Sequence, residues 1–178
     1  MTCIAAYKDL NGDIYMGGDS IGVVGTTYVT IREPKVFRRK NMVFGFTSSF
    51  RMGQILQYDF EVPSHHTEMK TSEYLVSVFI PRLIAKFEEA KWARVSDNQI
   101  EGGTFLVGYD QKLYEVHEDF QILETMDHYN SCGCGDDFAR GAFWTLQTNK
   151  KLKPQERVIK ALECASAHSL VKPPFHVI

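Results

Sequence analysis

The sequence has few cysteines and no long apolar run. Its 178 residues contain four cysteines, which is too few for a disulfide scaffold, and a chain of this length does not need one. No apolar run approaches the ~18 residues that span a bilayer, and the first residues carry acids where a signal peptide has a basic segment. These absences predict a cytoplasmic chain with reduced thiols and no membrane partner.

The sequence also lacks an excess of charge of one sign. Twenty Lys and Arg residues against 22 Asp and Glu residues give a net charge of −2, so no basic field favours a nucleic-acid partner. No glycine-rich phosphate-binding pattern follows a predicted strand, which argues against a nucleotide site. Cys132 and Cys134 could supply two zinc ligands, but no second Cys or His pair at suitable spacing completes the site. We predict no cofactor and no metal held by side chains.

Hydrophobic residues make up 44% of the chain, which is enough for one core, and we predict a single domain over residues 1–178. Apolar runs at 2–8 and 13–19 flank Asn11-Gly12, the strongest local signal for a β-hairpin. Runs rich in β-branched and aromatic residues predict further strands at 27–31, 35–37 and 42–47.

The spacing of apolar residues predicts two helices next. The first follows Thr47-Ser48, whose hydroxyls can cap it, and the second covers residues 73–94 after Ser72. The second half repeats this order, with an antiparallel meander, a loop at 129–135, helices at 136–146 and from Pro154, and a last strand at 175–178. The order predicts an α+β fold with two stacked antiparallel sheets between helix layers.

The most informative single residue is Thr2. A small second residue allows removal of Met1, which would give Thr2 a free α-amine with a pKa of about 7.7–8.0, a usable base beside its own hydroxyl. Asp19 ends the second predicted strand, and Lys35 begins a later one. A lysine held charged by an aspartate would favour deprotonation of the Thr2 hydroxyl. From these residues alone, a turn aspartate and a surface lysine remain the ordinary alternative.

The segments TCIAAYK, GGDS, PKVF and GFTSS, followed later by Gly133-Cys134-Gly135, resemble the proteasome β-subunit and bacterial HslV group of N-terminal nucleophile (Ntn) hydrolases. The resemblance runs from Thr2 to Ile178, although residues 61–101 match only as helices. It implies a four-layer αββα sandwich. It also implies that Thr2 is both nucleophile and base, that Lys35 lowers the pKa of the hydroxyl, and that Asp19 orients Lys35.

The same resemblance implies that the backbone N–H of Gly45 forms an oxyanion hole, and that amides are hydrolysed through an acyl ester on Thr2. Two departures from the family pattern concern the site. Cys134 stands where the family usually has a serine bonded to the N-terminal amine, and a thiol is the weaker hydrogen-bonding group. The distal aspartate of proteasome β-subunits has no counterpart in residues 166–172, which points to the bacterial branch.

The implied function is that of a self-compartmentalising threonine endopeptidase, active as a homo-oligomeric ring on unfolded polypeptide or peptides. An AAA+ unfoldase on a separate chain could feed it, and backbone carbonyls in residues 166–172 could hold a structural cation. By position, Ile21 and residues 46–49 are candidates for the specificity pocket. Two alternatives stay open: an Ntn amidase for a small-molecule amide, and a catalytically inactive scaffold subunit in which Cys134 marks a decayed site or a retained Met1 blocks the amine.

Overall fold

The computed structural model describes residues 1–96 and 99–178. Its strands form two antiparallel sheets and two short ribbons. The strands are β1 (Cys3–Lys8), β2 (Ile14–Gly18), β3 (Ile21–Val24), β4 (Thr27–Thr30), β5 (Val36–Arg39), β6 (Met42–Phe46), β7 (Arg94–Ser96), β8 (Gln99–Glu101), β9 (Phe105–Tyr109), β10 (Lys112–Val116), β11 (Ile122–Glu124), β12 (Tyr129–Gly133) and β13 (His176–Val177). The first sheet has the order β12-β1-β2-β13 and the second the order β11-β10-β9-β6-β5, while β3-β4 and β7-β8 are the ribbons.

Two groups of helices cover these sheets. The helices are α1 (Phe50–Gln54), α2 (Thr71–Tyr74), α3 (Ile80–Glu89), α4 (Asp136–Leu146) and α5 (Pro154–His168). A π-helical turn at Ile55–Asp59 extends α1, and another at Leu75–Phe79 joins α2 to α3. Pro81 follows the second turn and has no N–H to donate to it. The missing donor favours an irregular pattern of backbone hydrogen bonds in this part of the helix. None of the helices in the described ranges combines the length and hydrophobicity of a membrane crossing.

Three hydrophobic clusters define four layers. One cluster joins α1–α3 to the outer face of the second sheet, and a second joins α4 and α5 to the outer face of the first sheet. The third lies between the two sheets and includes Ile4, Met16 and Leu106. The predicted αββα sandwich is therefore confirmed.

Strand β1 lies at the centre of this arrangement. Cys3 and Ala5 face α4 and α5, whereas Ile4 and Ala6 face the second sheet, and all four are fully buried. A strand that is buried on both faces has a continuous apolar sequence instead of an alternating one. The start of β1 therefore holds the residue before it, Thr2, at a fixed position at one end of the sheet.

Most predicted elements are present, including the hairpin of β1 and β2, the meander β9-β10-β11 and helix α4. The predicted loop at 129–135 is wrong in its first part, because Tyr129–Gly133 forms β12 and pairs with β1. This segment is rich in Asn, Ser and Gly and has little intrinsic strand propensity. Its pairing with a buried strand overrides that local preference.

Two helix boundaries also differ from the prediction. Ser49, and not Thr47 or Ser48, caps α1 by accepting a hydrogen bond from the Arg51 N–H. The long helix begins at Thr71 and ends at Glu89, five residues before the predicted end, and Arg94 belongs to β7. Residues 97 and 98 lie outside the described residues.

Candidate active site

Thr2 is held at the beginning of β1 by its own backbone. Its carbonyl oxygen accepts a hydrogen bond of 2.8 Å from the backbone N–H of Cys134, in the turn between β12 and α4. Only 7% of the residue is exposed. The backbone of Thr2 is therefore fixed by the pairing of β1 with β12.

Lys35 connects the Thr2 hydroxyl to Asp19. The Lys35 Nζ donates to Thr2 Oγ1 at 2.9 Å, to both carboxylate oxygens of Asp19 at 3.0 Å, and to the carbonyl oxygen of Ile21 at 2.7 Å. The lysine is 1% exposed and Asp19 is fully buried. A buried ammonium is tolerated when a carboxylate and further acceptors replace its water, as they do here.

Asp19 is itself fixed by the backbone around it. Its Oδ1 accepts from the Cys3 N–H at 3.0 Å and its Oδ2 from the Ile21 N–H at 3.2 Å. Gly18, just before it, allows the close approach, since a Cβ there would lie 2.9 Å from Ile4 and 3.5 Å from the Lys35 side chain. The carboxylate thus ties β1, β3 and the lysine into one network.

Burial lowers the pKa of Lys35 from its ordinary value, while the charge of Asp19 and its hydrogen bonds raise that pKa and oppose the effect of burial. With a carboxylate at 3.0 Å, the ammonium is the form that this site stabilises. A positive charge that donates to Thr2 Oγ1 favours the deprotonated hydroxyl. The arrangement can therefore activate Thr2 as a nucleophile.

Met1 is attached to the α-amine that this chemistry needs. The Thr2 hydroxyl donates to the Met1 carbonyl oxygen at 2.8 Å, and Met1 is 49% exposed. As long as Met1 is present, the nitrogen of Thr2 is an amide and cannot serve as a base.

A cavity of about 80 Å³ opens beside Thr2. Met1, Val23 and residues 46–50 form its walls, so it includes the predicted pocket residues 46–49. Ile21 instead borders a neighbouring cavity of about 60 Å³ that also contacts Met1 and Val23. The space next to the hydroxyl is therefore bounded by the end of β6 and the start of α1.

Ser48 has an unusual conformation in the wall of this cavity. Its φ is +59°, a left-handed conformation that is uncommon outside glycine and clusters at functional sites. In the described parts of the chain its N–H donates no hydrogen bond, whereas the neighbouring Ser49 N–H donates to the Thr47 carbonyl. The Ser48 hydroxyl accepts from the Thr104 N–H at 3.0 Å, which holds the turn in place.

Gly45 is not brought to Thr2. It lies inside β6, opposite Val36 on one side and Leu106 on the other, and a Cβ there would lie 2.5 Å from Ile4 and 2.6 Å from Met16. The glycine therefore accommodates close packing between the two sheets. The structure does not place its N–H in the wall of the cavity beside Thr2.

Cys134 is brought to the site through its backbone, and its thiol is exposed. Gly133 precedes it with a φ of +101°. A Cβ on Gly133 would lie 2.2 Å from the Thr2 carbonyl oxygen, so only glycine fits between β12 and Thr2. In the sequence, the run Gly133-Cys134-Gly135 is the signal for this close packing against Thr2. The signal for Ser48 is a polar run directly after an apolar strand.

Residues 166–172, whose backbone carbonyls are expected to hold a cation, include the charged side chain of Lys172. The Lys172 Nζ donates to the Ser166 carbonyl oxygen at 3.3 Å, so that carbonyl already has a cationic partner. Among the residues that the structure describes, no three His, Cys, Asp or Glu side chains are grouped to hold a metal ion.

Replacing Gly133 by alanine should displace Thr2. We expect the added Cβ and the positive φ to lower the free energy of unfolding by about 1–3 kcal/mol, and any activity that depends on Thr2 to fall with it. Urea denaturation of both proteins measures the first effect. Gly141→Ala in α4 is the matched control, because its Cβ meets no atom within 4 Å and alanine should stabilise a helix by about 0.5–1 kcal/mol. Equal stability of Gly133→Ala and the parent would contradict the close contact.

The sequence matches no protein-family model and no curated protein. Solved structures are similar in fold. The chain is 15% identical to BPH of Thiobacillus denitrificans in complex with epoxomicin, with a TM-score of 0.79 over 100% of this chain and 97% of that one. It is 17% identical to HslV of Trypanosoma brucei, with a TM-score of 0.69 over 100% and 98%. It is 11% identical to an Anbu mutant from a Hyphomicrobium strain, with a TM-score of 0.66 over 99% of this chain and 80% of that one. The chain has the fold of the proteasome-like Ntn hydrolases.

Proposed function

We propose that the protein is an N-terminal threonine endopeptidase with Thr2 as its nucleophile. The observation that carries the proposal is the buried contact of the Lys35 Nζ with Thr2 Oγ1 and with both oxygens of Asp19. A hydroxyl in a structural role does not need a fully buried ammonium beside it, whereas a nucleophilic hydroxyl benefits from one.

The proposed reaction begins after Met1 has been removed. The free α-amine of Thr2 takes the proton of the hydroxyl, and Oγ1 attacks the carbonyl carbon of the scissile amide. The C–N bond then breaks, the departing amine receives the proton, and an acyl ester remains on Thr2. Water, deprotonated by the same amine, hydrolyses that ester and restores Thr2. Lys35 keeps its proton throughout and stabilises the negative charge on Oγ1.

The backbone N–H of Ser48 is our candidate for the oxyanion donor, in place of Gly45. It belongs to the wall of the cavity beside Thr2, and within residues 1–96 and 99–178 this left-handed turn gives the N–H no intramolecular acceptor. A preorganised N–H directed at the developing oxyanion typically contributes about 3–4 kcal/mol to transition-state stabilisation.

The proposed substrates are peptides or unfolded polypeptide, cleaved inside a homo-oligomeric ring in the cytoplasm. Large apolar side chains remain exposed on this chain, including Val24, Tyr28 and Val29 of the β3-β4 ribbon and Trp144 of α4. Contact with other copies would cover such surfaces. The four free thiols fit a reducing compartment, and an ATP-driven unfoldase would be a separate chain.

The proposal is tested by the mass of the intact chain before and after treatment with a β-lactone. Protein purified from cells should lack Met1, and ring opening by Oγ1 should add the whole mass of one lactone, located on Thr2 by peptide mapping. Epoxomicin, which is bound to the T. denitrificans BPH, should compete with this labelling. A chain that lacks Met1 and is not labelled would contradict the proposal, and a labelled monomer without a ring would favour the small-molecule amidase.

A further inference from the structure

A second cavity adjoins the cavity beside Thr2 at the turn that carries Thr47 and Ser48, because both residues border both spaces. The cavity beside Thr2 extends to Val23 in β3, whereas the second extends toward β10, β12 and the start of α4. The second cavity measures about 330 Å³, a volume in the range of ligand sites. Met1 does not border it, so its size does not depend on the removal of Met1. We call it the acidic cleft, and its wall includes Thr47, Ser48, Glu115, Glu118, Gly133 and Asp136.

The wall of the acidic cleft carries charge of one sign. Five acidic residues border the cleft or the hollow of about 480 Å³ that continues it, and in the described parts of the chain no Lys or Arg residue does. Arg140 offsets one of them from outside this wall, since its Nη1 lies 3.1 Å from Asp136 Oδ2. A cleft lined by charge of one sign concentrates ligands of the opposite charge. The five are Glu101, Glu115, Glu118, Asp119 and Asp136.

Glu115 is held in this wall by a hydrogen-bond network. Its side chain is 18% exposed, and its Oε2 accepts from Asn130 Nδ2 at 3.0 Å. Asn130 is itself held, because Nδ2 also donates to Thr125 Oγ1 and Oδ1 accepts from the Ser131 N–H. The other oxygen, Glu115 Oε1, accepts no hydrogen bond from the residues that the structure describes, and His117 Nε2 lies 3.8 Å from it. A largely buried carboxylate with an open oxygen is stabilised when a cationic group supplies the missing donor.

The two spaces can receive the two parts of a substrate. Under the proposed function the acyl part stays bonded to Thr2 Oγ1, and Thr2 itself borders the first cavity. The departing part extends to the other side of the attacked carbonyl carbon, past Ser48, where the acidic cleft begins. Its new α-amine, with a pKa of about 7.7–8.0, gains a positive charge when it is protonated near neutral pH. An acidic wall therefore favours the departing segment.

We propose, on the basis of the proposed function, that the acidic cleft binds the residues after the scissile bond, and that the enzyme prefers Lys or Arg at the first two of these positions. Glu115, from the wall, and the exposed Glu118 determine this preference. The ammonium of a lysine or the guanidinium of an arginine supplies the donor that Glu115 Oε1 lacks. An acidic residue in the same position meets charge of its own sign and is disfavoured.

The first test measures kcat/KM on internally quenched peptides that differ only in the two residues after the scissile bond, Arg-Arg or Glu-Glu, with the cleaved bond identified by mass spectrometry. The Arg-Arg peptide should be cleaved at least about tenfold better, and the ratio should shrink when NaCl is raised to about 0.5 M, because salt screens the attraction. A preference for Arg-Arg before the scissile bond and not after it would overturn the proposal.

Two variants identify the carboxylates that act. Glu115→Gln/Glu118→Gln keeps the shape of both side chains and should reduce the ratio of Arg-Arg to Glu-Glu about tenfold. Glu163→Gln is the matched control, because Glu163 is exposed on α5 and does not border the cleft, and it should leave the ratio unchanged. Should the double variant fail to fold, Glu118→Gln alone, at an exposed residue, should still lower the ratio. An unchanged ratio in folded variants would contradict the assignment.

The second test does not depend on turnover. Peptides with a free α-amine that begin with Arg-Arg or Glu-Glu correspond to the released segment, and calorimetry measures their dissociation constants with Thr2→Ala. Binding of the Arg-Arg peptide at least about tenfold tighter, with the difference reduced when Glu115→Gln and Glu118→Gln are added, supports the proposal. If the parent hydrolyses no peptide, this result contradicts the proposed function and leaves the cleft assigned to basic segments. Absent binding of the Arg-Arg peptide, equal binding of both peptides, or a difference that survives without the two carboxylates would overturn the inference.

Discussion

Replacing Thr2 by alanine should reduce peptide hydrolysis by at least about a thousandfold, the scale on which loss of a nucleophile acts. The substitution removes Oγ1 and with it the atom to which Lys35 donates at 2.9 Å. The hydrogen bond that holds Thr2 to Cys134 uses the backbone carbonyl and is retained. Initial rates on a fluorogenic peptide measure the effect, and circular dichroism and oligomer mass should match the parent.

Thr2→Ser is the matched control, because it keeps a hydroxyl at the same position and also allows removal of Met1. We expect it to retain activity within about tenfold of the parent, since the nucleophile and the amine are both present. A Thr2→Ala protein that hydrolyses peptide at the parental rate would show that the reaction uses another group. Loss of activity in Thr2→Ser but not in Thr2→Ala would contradict the mechanism equally.

The family resemblance, and not the residues alone, predicted that Thr2, Asp19 and Lys35 meet, as the structure places them. Asp19 directly follows a strand that pairs with the strand after Thr2, so the hairpin around Asn11-Gly12 fixes their distance. The αββα fold followed from the order of the elements and from the resemblance. The hairpin and the element order depend on local turn chemistry and on periodicity, which a sequence expresses directly, whereas the approach of Lys35 from the second sheet does not.

The proposed oxyanion donor could not be predicted in the same way. Gly45 is a glycine in a strand next to the site, and a glycine there fits both a backbone role and close sheet packing. Only the packing of Ile4 and Met16 against it identifies the second role. Ser48 has a left-handed conformation, and its hydroxyl accepts a hydrogen bond from Thr104, more than 50 residues away in sequence. Such a tertiary constraint leaves no local pattern.

Lys35→Met should remove both activity and stability. The variant leaves Asp19 fully buried, and the N–H groups of Cys3 and Ile21 are then its donors among the residues that the structure describes. Removing one partner of a buried ion pair typically costs about 3–5 kcal/mol because the remaining charge is uncompensated. We therefore expect the free energy of unfolding to fall by about this amount, measured by urea denaturation, and labelling of Thr2 by the β-lactone to be lost.

The double variant Asp19→Asn/Lys35→Met separates these two effects. It removes the buried negative charge, while the Asn side-chain oxygen can still accept from Cys3, so it should be more stable than Lys35→Met. Its rate of labelling should nevertheless remain low, because no ammonium faces Thr2 Oγ1. If stability and labelling returned together, Lys35 would serve only to neutralise Asp19, and the amine of Thr2 would suffice for its activation. Recovered stability without recovered labelling assigns the lysine to the chemistry, since the two variants then differ in folding but share the missing positive charge.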